Sequence, residues 1–299
     1  MITITGATGK TGSVVADILL SKGEKVRVVG RTEEKLKKLQ LSGAEISVGD
    51  QGDEQFLTEA LHGADALYLL IPPKFDTDDF RSYYNRLGDA AVTAIRNSGL
   101  RKVVFLSSLG ADQPEGTGPV VGLYDVEQKL MQLDNVDMVF LRPGYFMENT
   151  LGTMELIMNR AMNGGPMPGD VKVMMAATAD IGAKAADLLL DRSFTGHDIV
   201  EIIGDRISFN EITSVLGQTL GIPSLHYMQF SDHDAEAAFI GMGLSQNVAH
   251  SYVELMHAIA DGTLSALHTD SATLTAPTRF TEFAEKVFKP AFSANKQHA

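Results

Sequence analysis

MITITGATGKTG, residues 1–12, opens the chain and sets the architecture that the later segments follow. Residues 2–5 are rich in β-branched side chains, which is typical of a strand. Apolar residues then recur at helical spacing over 14–20. Between these two segments lie three glycines at GxxGxxG spacing: Gly6, Gly9 and Gly12. A glycine turn between a strand and a helix favours a dinucleotide-binding function.

The glycine spacing has a chemical interpretation. A side chain at Gly6 or Gly9 would keep a pyrophosphate away from the backbone, and Gly12 lets the helix pack closely on the strand. The helix that begins near Lys10 directs free N–H groups and a partial positive charge toward that anion. A P-loop needs four residues between its glycines, whereas Gly6 and Gly9 have two between them. A tight turn that binds nothing is the remaining alternative.

The end of the second predicted strand, residues 25–29, indicates the type of dinucleotide. A residue that binds the ribose is expected about 20 residues after the glycine turn. Gly30 and Arg31 stand there, and the acidic residues Glu33 and Glu34 come slightly later. Arg31 suits the extra 2′-phosphate of NADP, whereas an acidic residue would favour NAD. We therefore expect NADP(H) as the preferred cofactor, with NAD(H) as the alternative.

The composition of the 299 residues excludes several classes of protein. The chain is 44% hydrophobic with a formal net charge of −13 and no basic run, so we expect a soluble protein that contacts no nucleic acid directly. The absence of cysteine excludes disulfides and thiol chemistry. No apolar run is long enough to cross a membrane, so we expect no membrane partner. The expected partner is a small molecule. We also expect the protein to be a monomer or a homodimer, so that its protein partner is at most a second copy of this chain.

Two further expectations come from the N-terminus and the histidines. Met1 leads directly into the first predicted strand and leaves no room for a signal peptide, which favours a cytoplasmic protein. His226 and His233 are seven residues apart, as are His250 and His257, and neither pair belongs to a recognisable ligand set. We therefore expect no metal.

Strands and helices alternate through the first half of the chain. Several predicted strands are continuously apolar, which indicates burial on both faces and hence a parallel sheet covered by helices. The predicted strands are residues 1–5, 25–29, 46–48, 66–71, 102–106 and 136–141, and the predicted helices are 10–21, 32–40, 55–61, 79–97 and 123–133. The fold class is therefore α/β, a Rossmann-type doubly wound parallel sheet. We expect residues 1–150 to form this domain, with a contribution from about 178–204.

The alternation breaks down in the second half of the chain. A strand is expected at 199–203, and open loops at 111–121 and at 163–169, the latter rich in glycine and proline. The tail from Pro290 is expected to be frayed. Helices are expected at 150–163, 179–190, 208–220, 231–241, 245–260 and 278–288. We interpret 151–299 as mainly a smaller, largely helical lobe that binds substrate over the carboxyl ends of the strands.

Four motifs together resemble the NmrA-like family, atypical members of the short-chain dehydrogenase/reductase superfamily. They are TGATGKTG at 5–12, the arginine after the second strand, Gly49-Asp50 after the third, and RPGYFMEN at 142–149. TRFTEFAEKVF at 278–288 is also similar to the C-terminal helix of that family. The chain resembles most its bacterial NAD(P)H:quinone reductases and triphenylmethane-dye reductases. This resemblance implies an NADPH-dependent oxidoreductase that transfers hydride to a quinone-like or other aromatic acceptor. Because the family also contains nucleotide-sensing regulators, a non-catalytic NADP(H) sensor is the alternative.

The resemblance also implies a set of cofactor-binding residues. They are Gly6, Thr8, Gly9, Lys10, Thr11 and Gly12 at the pyrophosphate, Arg31 at the 2′-phosphate, Asp50 and Gln51 beside the adenine, Leu70, Ile71 and Pro72 under the middle of the cofactor, Ser107 and Ser108 near the nicotinamide ribose, and Pro143, Gly144, Tyr145 and Phe146 over the nicotinamide. Some of them have a purely structural alternative. Asp50 can cap a turn, Ser107 and Ser108 can simply end a strand, and Phe146 can belong to the core.

Tyr124 is the candidate catalytic residue, but its expected partner is displaced. Short-chain dehydrogenases use a tyrosine and a lysine at YxxxK spacing, which places both on one helical face. Tyr124 and Lys129 are five residues apart, so they diverge by about 140° around a helix. Relatives often carry a glutamate four residues after this position, where Gln128 stands here. This arrangement disfavours an alcohol dehydrogenase or sugar epimerase, and Tyr124 can equally be a packing residue.

Overall fold

A computed structural model describes residues 1–268 and 273–296. Strands and helices alternate regularly in its first half. They are β1 (Ile2–Thr5), α1 (Lys10–Ser21), β2 (Val26–Gly30), α2 (Glu33–Leu41), β3 (Glu45–Val48), α3 (Glu54–Leu61), β4 (Ala66–Leu69), α4 (Phe80–Ser98), β5 (Lys102–Leu106), α5 (Val120–Leu130) and β6 (Asp137–Pro143). The predicted order of elements is confirmed over this half.

The second half mixes short strands with helices. Its elements are β7 (Tyr145–Phe146), a 3₁₀ helix (Met147–Thr153), α6 (Met154–Arg160), β8 (Met162–Gly165), β9 (Lys172–Ala176), α7 (Thr178–Asp191), β10 (His197–Ile202), β11 (Asp205–Ser208), α8 (Phe209–Leu220), β12 (His226–Gln229), α9 (Asp232–Gly241), α10 (Gln246–Ala260), α11 (Phe280–Phe283), a π-helical turn (Ala284–Phe288) and α12 (Lys289–Lys296). The described part of the lobe therefore contains five short strands in addition to its helices.

Seven parallel strands form the central sheet in the order β10-β6-β5-β4-β1-β2-β3. The strand order changes direction between β1 and β4, and ligands bind doubly wound sheets in the crevice outside the strand ends at such a point. This sheet confirms the predicted α/β fold of the Rossmann type. The lobe adds a three-stranded sheet, β11-β9-β7, and a two-stranded one, β12-β8.

Helices cover both faces of the central sheet because its strands are apolar on both sides. One buried cluster joins β1, β2 and β4 to α1 and α7, and another joins β4, β5 and β6 to α4 and α5. A Cβ atom added to Gly182 would lie 2.6 Å from Cβ of Val14, so this glycine lets α7 approach α1 closely. A third cluster forms the core of the lobe and includes the aromatic residues of α11 and α12.

Three expectations for the lobe are wrong. Residues 163–169 are not an open loop throughout, because β8 pairs in parallel with β12 through its backbone. The tail beyond Pro290 forms α12 as far as Lys296, and Phe292 is buried against Phe288; residues 297–299 lie outside the described part. The helix expected at 150–163 is shorter, since a 3₁₀ helix occupies its first turn.

Candidate functional site

The glycine turn after β1 brings three backbone segments together. Gly6 has a φ of +63°, a conformation that favours glycine, and its carbonyl oxygen accepts a hydrogen bond of 2.9 Å from the Gly9 N–H. A Cβ atom added to Gly12 would collide with that carbonyl oxygen, and one added to Gly6 would lie 2.8 Å from Leu70. The turn therefore requires glycine at these two positions for its own geometry.

Helix α1 begins without a side-chain cap, as α2, α5, α6 and α7 also do. Its N-cap residue is Gly9, which has no side chain, and its first turn contains no acidic residue. By contrast, the carboxylates of Asp53 and Asp79 accept N–H groups at the starts of α3 and α4. Open N–H groups at the positive end of a helix form a site for an anion. The turn therefore combines a helix start that has no side-chain cap with a glycine backbone that a ligand can approach closely.

The side chains of two residues in this turn, Thr11 and Lys10, contact other parts of the protein. Thr11 is buried, and its hydroxyl accepts a 3.0 Å hydrogen bond from the Tyr68 hydroxyl, so only its backbone faces the anion site. Lys10 is exposed and extends toward the carbonyl oxygen of Glu148, 3.5 Å from its Nζ. The Glu148 carboxylate in turn accepts hydrogen bonds from the backbone and hydroxyl of Thr178 at the start of α7.

A pocket lies beside the turn, at the carboxyl ends of β1 to β4. Residues that line it include Gly6, Thr8, Gly30, Arg31, Lys35, Asp50, Gln51, Pro72 and Tyr83. Arg31 and Lys35 place two cations on one wall, although the chain as a whole carries a net charge of −13. A local positive charge in an acidic protein attracts an anionic ligand. The sequence analysis missed Lys35, which lies in the first turn of α2, just after the loop that carries Arg31.

The opposite wall is held in place by hydrogen bonds. The Asp50 carboxylate accepts the Gly52 N–H at 2.9 Å, so Asp50 caps a turn and also lines the pocket. Gln51 is buried and donates from Nε2 to the Leu70 carbonyl oxygen at 2.9 Å. These contacts fix the ends of β3 and β4 relative to each other.

The residues after β4 face different ways. Leu70 abuts Gly6 and Pro72 lines the pocket, but Ile71 is buried in the core on the other side. Tyr83 from α4 also lines the pocket, and the Arg86 guanidinium lies 5.6 Å from the centre of its ring. Burial raises the pKa of Tyr83, an effect partly offset by Arg31 and Arg86. Tyr83 offers an aromatic face that the sequence analysis did not identify.

A buried ion pair lies at the carboxyl ends of β5 and β6, on the side of the sheet edge away from β2 and β3. Glu127 on α5 is 0% exposed and Arg142 at the end of β6 is 3% exposed. Arg142 donates from Nε to Oε1 of Glu127 at 3.0 Å and from Nη2 to Oε2 at 2.5 Å. The Ser107 hydroxyl donates to the same carboxylate. Burial raises the pKa of Glu127, and the Arg142 guanidinium opposes that shift.

This ion pair changes the interpretation of two sequence positions. The Ser107 hydroxyl is committed to Glu127, whereas Ser108 is half-buried and its carbonyl oxygen accepts the Ala111 N–H. Gln128, where a family glutamate was expected, is exposed, and the inward-facing acid is Glu127. One signal was available in the sequence: Arg142 follows a buried apolar strand, and a buried cation requires an anionic partner.

The helix α5 separates Tyr124 from its nominal lysine partner. Lys129 Nζ lies 2.6 Å from Asp89 Oδ1 on α4, which confirms that Lys129 does not pair with Tyr124. Leu123 precedes Glu127 by four residues, so it occupies the same face of α5 one turn nearer the site. Leu123 contacts both the core of the sheet domain and that of the lobe. Tyr124 is half-buried beside it.

The segment from Pro143 to Phe146 crosses from the sheet into the lobe. The Pro143 carbonyl oxygen accepts the Leu109 N–H, and a Cβ on Gly144 would collide with the Met174 carbonyl. Tyr145 and Phe146 alternate on β7, so their rings point to opposite faces. Phe146 packs on the core that includes Ala7 of the glycine turn, whereas Tyr145 packs in the lobe. The two rings therefore cannot cover one face of a ligand together.

Two classes of site are absent from the described residues. No group of three or more histidine, aspartate or glutamate side chains is arranged to hold a metal ion within 1–268 and 273–296. No helix in this part of the chain is both long and apolar enough to cross a membrane.

The chain resembles known proteins over most of its length. The sequence model of the NmrA-like family matches residues 1–285. The chain is 28% identical to an NAD(P)H azoreductase of Xenophilus azovorans over 302 residues, covering 98% of this chain and 100% of that protein. It is 29% identical to quinone oxidoreductase 2 of Escherichia coli over 255 residues, or 83% of this chain and 84% of that protein.

A solved structure outside the reductases has the same fold. NmrA, a negative transcriptional regulator crystallised in complex with NAD, matches with a TM-score of 0.77 at 15% identity, covering 99% of this chain and 97% of that one. At this identity the likeness shows the fold alone.

The ion pair leads to a prediction about stability. Glu127→Gln removes the anion that accepts two hydrogen bonds from the buried Arg142 and leaves only the Asp112 carboxylate nearby, 3.7 Å from Nη1, so we expect the free energy of unfolding to fall by up to about 3–5 kcal/mol. Ser107→Ala removes one hydrogen bond to a charged group and is expected to have a smaller effect, about 1–2 kcal/mol. Urea unfolding followed by circular dichroism measures both. The exposed neighbour Gln128 provides the control Gln128→Ala. Equal stability of Glu127→Gln and this control would contradict the pairing.

Proposed function

Because this chain belongs to the NmrA-like family, we propose that it is an NADPH-dependent oxidoreductase that reduces a quinone-like or other aromatic electron acceptor. The observation that carries the proposal is the uncapped glycine turn beside a pocket with two cations. The turn suits a pyrophosphate, since α1 begins without a side-chain cap and Gly9 leaves the backbone uncovered at that point. The names of the azoreductase and quinone oxidoreductase relatives support the reaction class.

The pocket beside the turn fits the adenosine half of the cofactor. Arg31 and Lys35 provide the charge for a 2′-phosphate, and a guanidinium binds a phosphate through charge-assisted hydrogen bonds. Tyr83 and the Asp50–Gln51 segment provide an aromatic ring and polar atoms for the adenine. On this basis we propose NADP(H) as the preferred cofactor.

The other end of the site favours an acceptor that needs no acid from the protein. Leu123 occupies the face of α5 above Glu127, and Lys129 is bound to Asp89, so Lys129 does not serve as the partner of Tyr124. The chemistry that NADPH supplies when bound is transfer of a hydride, which converts a quinone to the hydroquinone anion, and water can supply the one proton that completes the hydroquinone. The protein then contributes mainly by orienting the two reactants.

The test of the proposal is oxidation of NADPH in the presence of quinones and azo dyes, followed by the absorbance of the reduced nicotinamide. We expect turnover by the wild-type protein and none by Gly9→Val, in which a branched side chain occupies the path of the pyrophosphate. Gly9→Val should remain folded, because an added Cβ meets only the Gly6 carbonyl oxygen, at 3.2 Å. Tight NADPH binding without turnover of any acceptor would instead favour the alternative, an NADP(H) sensor.

The basic wall of the pocket gives a prediction about cofactor choice. Arg31→Ala should weaken NADPH binding about tenfold or more while leaving NADH binding nearly unchanged, because only NADPH carries the 2′-phosphate. Lys35→Ala should act in the same direction with a smaller effect. Calorimetric titration of both cofactors measures this. Lys38→Ala, on the exposed side of α2, controls for net charge. Equal loss of NADPH and NADH affinity would rule out Arg31 as the phosphate contact.

The surroundings of Tyr124 lead to a prediction about the proton donor. Tyr124→Phe should lower kcat for a quinone by less than about tenfold, because the product oxygen can take its proton from water. Loss of a dedicated general acid would cost about 10²–10⁴-fold. Steady-state kinetics with one quinone decide the question. A thousandfold fall in kcat would assign Tyr124 as the acid and favour a carbonyl-reducing enzyme.

A further inference from the structure

One wall of the pocket beside the glycine turn combines side chains from two separate segments. Tyr83 on α4 and Asp50 in the loop after β3 both line the pocket. Arg86 follows Tyr83 by three residues on α4, which places the two side chains next to each other on the helix surface. From outside the pocket, Arg86 contacts both Tyr83 and Asp50. It therefore connects the two sides of this wall.

The Arg86 guanidinium lies over the Tyr83 ring. Its central carbon is 5.6 Å from the ring centre, a distance typical of a cation–π contact. The ring of the buried Tyr84 meets Tyr83 edge-on, with 6.1 Å between the ring centres. Tyr83 itself is half-buried. The orientation of its ring at the pocket wall therefore depends on these two neighbours, of which only Arg86 also contacts the loop after β3.

The same guanidinium lies against the turn that follows β3. Nη1 of Arg86 is 3.9 Å from Asp50 Oδ2, while Oδ1 of that carboxylate accepts the Gly52 N–H at 2.9 Å. A Cβ atom added to Gly52 would overlap Nη1 of Arg86, so the glycine leaves the space that the guanidinium occupies. Both charged side chains of this pair are about half exposed, and ion pairs of that kind contribute little to stability. The contact therefore favours a role in positioning the wall.

We propose that Arg86 is a positioning residue for the adenine subsite, where it holds the Tyr83 ring and the Asp50 turn in the arrangement that receives the base. This inference rests on the proposed function, because it takes the ligand of the pocket to be the adenosine half of NADP(H). A base that stacks on an aromatic ring binds more tightly when the ring is already ordered, since ordering a side chain on binding costs affinity. Arg86 thus acts on the base through Tyr83, whereas Arg31 acts on the 2′-phosphate.

Calorimetric titration distinguishes the two arginines. Arg86→Ala should weaken NADPH and NADH binding alike, by about three- to tenfold, because both cofactors carry adenine. Arg31→Ala should weaken mainly NADPH. Arg86→Lys keeps a cation but loses the planar guanidinium, so it should recover only part of the affinity. The control is Arg96→Ala, which removes the same charge from an exposed position in the last turn of the same helix.

Gly52→Ala displaces the guanidinium without removing its charge. The backbone should tolerate this change, because the atoms that the new methyl group meets belong to the flexible end of the Arg86 side chain. We expect Gly52→Ala to weaken both cofactors as Arg86→Ala does, and to cause no further loss in the Arg86→Ala background. In a Tyr83→Leu background, Arg86→Ala should likewise have little effect. Additive losses in these two double variants would contradict the proposed role.

Steady-state kinetics test whether the effect is confined to the adenosine end. In Arg86→Ala the KM for NADPH should rise with kcat nearly unchanged, because the lost interaction is one of binding. The KM for reduced nicotinamide mononucleotide, which lacks the adenosine, should stay the same. Two results would overturn the inference: unchanged affinity of Arg86→Ala for both dinucleotides, or a loss for NADPH alone, which would make Arg86 a phosphate contact.

Binding of 2′,5′-ADP separates this inference from the proposed function, because the titration needs no turnover. Wild-type protein that reduces no acceptor but binds 2′,5′-ADP more tightly than Arg86→Ala does would reject the oxidoreductase and keep the adenine subsite. Turnover by the wild type together with equal 2′,5′-ADP affinity in Arg86→Ala would keep the oxidoreductase and reject the role of Arg86.

Discussion

The close approach of backbone to backbone at the glycine turn is the constraint on which the site depends. Gly12 cannot carry a Cβ atom because it would collide with the Gly6 carbonyl oxygen, and Leu70 closes the other side of the turn. The Thr5 hydroxyl adds to this by accepting the Leu70 N–H at 2.8 Å, which ties the end of β1 to the end of β4. As a result α1 begins close to the point where the strand order changes direction. The open N–H groups of that helix are thereby directed into the crevice.

The Glu127–Arg142 pair organises the opposite half of the sheet edge. It connects α5 to the end of β6, and through Ser107 it also holds the end of β5. Buried ion pairs contribute little net stability, because the loss of hydration offsets most of the attraction between the charges. Their geometry is nonetheless demanding, and here the Glu127 carboxylate joins α5 to the ends of both β5 and β6. The pair thus places the loops after β5 and β6, including Leu109 and Pro143, in a defined arrangement beside the cofactor half.

The elements that sequence reasoning located correctly are those whose pattern is local. Continuous apolar strands and amphipathic helices specify the central sheet. Because its strands are buried on both faces, their successive residues are apolar, and this pattern is visible in the sequence. The strand β8 has no such apolar pattern. Its sequence, MNGG, is held in a strand by pairing with β12, which lies more than 60 residues later. The helix α12 was missed for a similar reason: Phe292 is its single buried residue, and only packing against Phe288 reveals its role.

The residues of the site also divide into those that a local sequence pattern reveals and those whose position depends on packing. The glycine turn is a motif of neighbouring residues, and Arg31 stands at a fixed distance after it. Their place beside the pocket could therefore be predicted from sequence spacing alone. Glu127, Lys35 and Tyr83 lie on helices, and their direction depends on how those helices pack on the sheet. The opposite directions of Tyr145 and Phe146 follow from the pleat of β7, which is only two residues long and has no periodicity that a sequence could display.

The two halves of the sheet edge are built by different means. The cofactor half consists of backbone groups and strand ends of the central sheet, so it is determined as soon as the sheet forms. The other half depends on single side chains, since the Glu127 carboxylate of α5 holds the ends of β5 and β6, and Leu123 lies one helical turn before it. The anion site at the start of α1 therefore comes with the architecture of the sheet, whereas the opposite end of the sheet edge is determined by individual side chains.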